Sequence, residues 1–96
     1  MMTQEKYHNA NFQYQKVIDL VPGNTSANVG LVYSLSKLCI EEEKRCDELD
    51  IVFKKSLKRA ESKDLFIDEL LRLSLSADVK TKVVLEDLIK SAIKKN

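Results

Sequence analysis

Two glycines and one proline in 96 residues leave few places for a helix to stop, and this scarcity constrains the chain more than anything else in it. The signal to look for is therefore apolar residues spaced three and four apart. From Thr3 to Val21 the set Tyr7, Ala10, Tyr14, Val17, Ile18 and Val21 traces one face of a first helix. Pro22-Gly23-Asn24 ends it, because proline lacks an amide hydrogen and disfavours the helical region for the residue before it, and Gly and Asn suit a tight turn.

Thr25 or Ser26 is expected to cap a second helix that runs to about Ile40, with Ala27, Leu31, Leu35 and Leu38 facing inward and Val32 and Cys39 flanking. A third helix is expected from roughly Glu42 to Ala60, carrying Cys46, Leu49, Phe53 and Leu57 on one face and Val52 and Ala60 beside them. Ser62 is a candidate cap for a fourth, Leu65 to about Leu75, and Asp64 suits the positive end of its dipole. After Ser74, Ser76 and Asp78, the residues Val79, Val83, Leu85, Leu88, Ile89, Ala92 and Ile93 mark a fifth helix ending in Lys94-Lys95-Asn96. Val83-Val84 and Ile51-Val52-Phe53 could be strand fragments, but each lies inside a longer helical period. The expectation is an all-α fold of about five helices in antiparallel hairpins. Residues 1–96 would form a single helical-hairpin domain, alone or as a stretch of a longer solenoid.

Hydrophobic residues at 44% and charged residues at 32% place the chain among globular sequences. Sixteen basic residues against fifteen acidic ones give a charge of +1, so a charge-driven partner must use a local patch rather than a global field. No apolar run approaches the length of a membrane span and the opening MMTQEKYHNANFQ is polar, which leaves a soluble, cytoplasmic protein off the membrane as the expectation.

Ala10, Tyr14, Val17 and Pro22, followed by Asn24 and Ala27, resemble the end of one tetratricopeptide repeat running into the next. In that family the small residue allows close helix approach, the aromatic four positions later fills the groove between hairpins, and the proline ends the second helix. Leu31 matches the family's leucine, while Asn28 stands where an aromatic is usual and Val32 where glycine is usual, with Gly30 near but out of register. Leu49 and Phe53 repeat the spacing of Ala10 and Tyr14, although Tyr14 to Phe53 spans 39 residues, about five beyond the family period. Glu61 replaces the terminating proline and Leu70 again matches the leucine. The resemblance covers about two thirds of the chain and implies that helix one is the second helix of a repeat whose first helix is absent. Its uncovered side could then be shielded within the chain, pack on a missing segment, or pair with a second copy.

Chemistry-bearing constellations are sparse. His8 has no second histidine and falls outside the main stripe of helix one, so it reads as a surface residue rather than a catalytic or zinc-binding one. Cys39 and Cys46 lack the short spacing of metal or redox motifs and are expected to be reduced and half-buried, although they bracket one loop closely enough for a disulfide. The serines sit in no nucleophile elbow or triad, and no glycine loop could cradle a phosphate. No catalytic residue, cofactor site or metal site is therefore assigned, and the chain is not expected to be an enzyme.

Charge is ordered along the third helix, where Glu41, Glu42, Glu43, Asp47, Glu48 and Asp50 precede Lys54, Lys55, Lys58, Arg59 and Lys63. Acid at the start and base at the end suits the helix dipole, and Glu41 with Arg45, Lys44 with Glu48 and Asp50 with Lys54 stand four apart. A basic patch for an acidic peptide or phosphate backbone is the functional alternative. Without interleaved aromatics or a groove-reading helix, this patch and Lys80, Lys82, Lys90, Lys94 and Lys95 of the last helix argue only weakly for nucleic acid.

The resemblance implies a non-catalytic interaction module whose concave groove binds a protein, a peptide or a partner helix. By that analogy the first helices of the hairpins line the groove, giving Asn28, Leu31, Leu35, Leu65, Glu69 and Arg72 as expected contacts. The leucines also fit plain core packing. The lysine and asparagine clamp that some family members use for chaperone tails is not visible, since the matching face offers Asn28, Gly30 and Glu69. The alternatives are a bundle that self-assembles through helix one and a nucleic-acid-binding regulator using the basic last helix.

Overall fold

The computed structural model describes residues 2–94 and is helical, with no strand among them. Five helices follow in order: α1 (Met2–Leu20), α2 (Thr25–Glu42), α3 (Cys46–Arg59), α4 (Lys63–Ser76) and α5 (Val79–Lys94). Lys95 and Asn96, expected to close the last helix, lie outside the described residues.

The turns explain the boundaries. Asn24, rather than Thr25 or Ser26, caps α2, its Oδ1 accepting from the Ala27 amide at 2.9 Å. Ser62 caps α4 as expected, accepting from the Leu65 amide at 3.2 Å. Asp78 caps α5 with a carboxylate that accepts from the Thr81 amide. The α2–α3 connection differs most from expectation: α2 continues to Glu42 and α3 starts only at Cys46. Between them Glu43 (φ 58°) and Arg45 (φ 60°) adopt the left-handed conformation, which carries no glycine here to announce it.

Helix α2 is the centre of the molecule, packing against each of the other four. Val32, Leu35 and Leu38 are enclosed together with Phe53, Phe66, Leu70 and Leu85 from the three helices that follow. The Phe53 and Phe66 rings meet at 5.9 Å between centroids with a tilted geometry, which favours aromatic pairs beyond the area they bury. A smaller cluster of Ile18, Ala27 and Leu31, with Tyr14 and Val52 against it, joins α1 to α2. Close approach there rests on Gly30, since a Cβ at that position would collide with the Tyr14 ring. Several residues assigned to inner stripes lie outside the core: Val17, Val21, Val79, Val83 and Ile93 are exposed, because their helices have fewer neighbours than α2 has.

Helix α5 packs on α2 as well as on α3 and α4. Its start is fastened by Lys37, a lysine of α2 that is only 7% exposed. Lys37 Nζ lies 2.8 Å from Asp78 Oδ1 and 3.1 Å from Glu41 Oε2, and it sits over the Tyr7 ring. Burial works against the ammonium charge, but the Asp78 and Glu41 carboxylates outweigh it and hold the Lys37 pKa above its ordinary value. The hydrogen bond from Lys37, followed by that from Thr81, holds the Asp78 carboxyl well below the usual carboxylate range. Burial raises the neighbouring Tyr33 phenol, with Lys37 opposing it.

Candidate functional site

The six expected contact residues separate into two groups. Asn28, Leu31 and Leu35 are buried and offer a ligand no surface, because these positions of α2 are enclosed by the helices packed against it. Asn28 is committed to structure: its Nδ2 donates to the carbonyls of Pro22 (3.0 Å) and Asn24 (2.8 Å), and its Oδ1 accepts from Arg59 Nε. Leu65 and Arg72 are exposed and Glu69 is half-buried, all on α4. Glu69 and Arg72 border a shallow notch of about 290 Å³, together with Tyr14 of α1 and Gly30 of α2. Arg72 is held within α4 by an ion pair with Asp68 at 3.2 Å.

A larger groove, absent from the sequence reading, opens between α3, α4 and α5 with a volume of about 660 Å³. Its floor is apolar, built from Phe53 and Leu57 of α3, Ile67 of α4 and Ala92 of α5. Lys54, Lys58 and Lys63 border it, with Asp64 as the acid among the lining residues. Lys54 is paired with Asp50 at 3.0 Å. Lys63 donates to the Lys58 carbonyl at 3.2 Å, satisfying the end of α3 where cations are favoured. The ordering of charge along α3 thus places Lys54 and Lys58 on the groove, whereas Arg59 turns to Asn28. No sequence signal marks the groove itself, since it arises from a gap between three helices.

The acidic half is arranged differently from expectation. Because the helix break falls at Glu43 to Arg45, Glu41 and Glu42 belong to the end of α2 and Glu43 is its C-cap, where the dipole disfavours acids. Glu41 pairs with Lys37, Lys44 with Glu42 at 3.5 Å, and Arg45 with Glu48 at 3.2 Å. Of the three pairs expected four apart, Asp50 with Lys54 forms, whereas Glu41 with Arg45 and Lys44 with Glu48 would need one continuous helix across the break. The expectation of two reduced cysteines also fails: Cys39 and Cys46 form a disulfide. Cys39 is half-buried and Cys46 is exposed.

His8 is exposed on α1, and no group of three or more potential metal ligands occurs among the described residues. No described helix is long and apolar enough to cross a membrane. Comparison with protein-family models, curated proteins and solved structures gives no match.

Proposed function

We propose that this chain is a non-catalytic protein-interaction module of the tetratricopeptide type that binds a partner helix or peptide. The observation that carries the reading is the open groove between α3, α4 and α5, whose apolar floor is bordered by three lysines. An apolar floor lets a helix bury one stripe, and lysines at the border favour acidic residues flanking that stripe. Helical hairpins in sequence order and the seating of Tyr14 over Gly30 support the family resemblance. The notch with Glu69 and Arg72 is a second contact surface in this reading.

A displayed library of amphipathic helices, selected on the full chain and measured by fluorescence anisotropy, tests it. Selected peptides should carry acids beside an apolar stripe and lose at least about tenfold in affinity on Lys58→Glu or Ile93→Asp. Peptides that bind both variants as tightly as the parent chain would overturn the groove assignment.

A second reading, self-association through α1, is favoured by that helix's outer face. Among the described residues α1 packs only on α2, and Phe12 and Leu20 are 59% and 84% exposed.

A further inference from the structure

Several costs converge on the end of α2. Glu41, Glu42 and Glu43 gather at the negative end of the helix dipole. Glu43 and Arg45 hold left-handed backbone that residues with a Cβ seldom adopt. Glu42 is nearly buried, and its Oε2 has no hydrogen-bond partner, a costly state for a carboxylate oxygen. One covalent link spans this segment, the disulfide between Cys39 in the last turns of α2 and Cys46 at the start of α3, with Cα atoms 4.8 Å apart.

The segment also reaches α1. Arg45 donates from Nη1 to Oδ1 of Asn11 at 3.2 Å and forks onto Glu48. Asn11 is buried, and its Nδ2 donates to the Leu31 carbonyl and to Ser34 Oγ. The position of Arg45 therefore determines whether a buried acceptor on α1 is satisfied.

We propose that Cys39–Cys46 is a reversible redox site whose reduction by a dithiol releases the α2–α3 segment and withdraws Arg45 from Asn11, loosening α1. Cys46 is the accessible sulfur, exposed as the first residue of α3, where the positive end of the helix dipole favours a thiolate. An incoming thiolate attacks Cys46 Sγ, forms a mixed disulfide and expels Cys39 as a thiolate, which takes up a proton. The second thiol of the reductant then attacks its own mixed sulfur and releases Cys46, so two electrons pass to the protein and the reductant leaves as a cyclic disulfide. Once the link opens, Glu43 and Arg45 can leave the left-handed region and Glu42 can reach water. This inference does not depend on the peptide groove.

The test is a titration of the full chain with reduced and oxidised dithiothreitol, with thiols counted by alkylation mass and amide exchange followed residue by residue. The two thiols should appear together, disappear when the ratio is reversed, and leave α4 and α5 protected. Exchange of amides between Asn9 and Tyr14 should rise about tenfold on reduction. In the oxidised chain, Arg45→Gln should raise exchange over the same α1 residues with the disulfide intact. Free thiols under oxidising conditions, a disulfide that yields only on global unfolding, or reduction that leaves α1 exchange unchanged would each overturn the proposal.

Discussion

Arg59 at the end of α3 donates from Nε to Oδ1 of Asn28 at 2.9 Å, joining the α3–α4 turn to the α1–α2 turn. The Glu61 amide reinforces the join by donating to the Gly23 carbonyl at 3.0 Å. The two turns therefore stack, and Asn28, with no exposed surface, is the side chain that holds them.

Asn28→Ala should accordingly destabilise the fold by about 2–3 kcal/mol, since it leaves a guanidinium contact and two backbone carbonyls without their partner. Arg59→Ala should cost less, because its removal deprives the Asn28 amide oxygen and the Ser56 hydroxyl of a donor but leaves both backbone carbonyls paired. Urea denaturation of the two single variants and the double variant should give a coupling of about 1 kcal/mol; additive costs would show that the bond contributes little.

Gly30 and Tyr14 form the second coupled pair. Gly30→Ala gains up to about 1 kcal/mol of helix propensity, but its methyl must displace the Tyr14 ring, and overpacking costs about 1–3 kcal/mol. The variant should melt lower than the parent chain, and adding Tyr14→Ala should recover part of the loss. A stabilising Gly30→Ala would mean that the ring moves aside without cost.

How far these relationships could be read from sequence depends on their range. Leu31, Leu35 and Leu38 announce a buried stripe through spacing, and Pro22 announces the end of α1 through local chemistry. That four helices pack around α2 is a tertiary fact, and it turns Asn28, Leu31 and Leu35 from expected contacts into enclosed residues. The helix break at Glu43 and Arg45 was hidden because both are ordinary helix formers held left-handed by what surrounds them. The break moves Glu41, Glu42 and Glu43 from the start of α3 to the end of α2 and turns two cysteines expected to be reduced into a disulfide. Apolar spacing announced the five helices in their order, whereas the packing of α5 on α2 and the groove beside it had no local signature.

Stability should respond to pH at both ends through Lys37. Asp78 has a folded pKa below its ordinary 3.8, so its contribution is complete above that value and drains away as pH falls below it. Lys37 has a folded pKa above its ordinary 10.5, so its contribution is complete below that value and is lost as pH rises beyond it. Tyr33, also raised, weakens the fold in the same alkaline direction. Asp78→Asn, which can still accept from the Thr81 amide, should flatten the acid limb of a melting-temperature profile and lower the plateau. An unchanged acid limb would show that other carboxylates set it.

The open side of α1 gives the last prediction. Phe12 and Leu20 are the most exposed large apolar side chains among the described residues of that helix, with Val17 less so and Lys16 Nζ 4.9 Å from the Phe12 ring centroid. A two-fold pairing would place the same face of each copy against the other, so one patch can satisfy both. Sedimentation over a hundredfold concentration range should show a mass rising above 11.0 kDa. Phe12→Lys with Leu20→Glu should hold it at the monomer value without lowering the melting temperature, since neither side chain belongs to the core. If the parent chain stays monomeric at the highest concentration, the face is not a self-association surface.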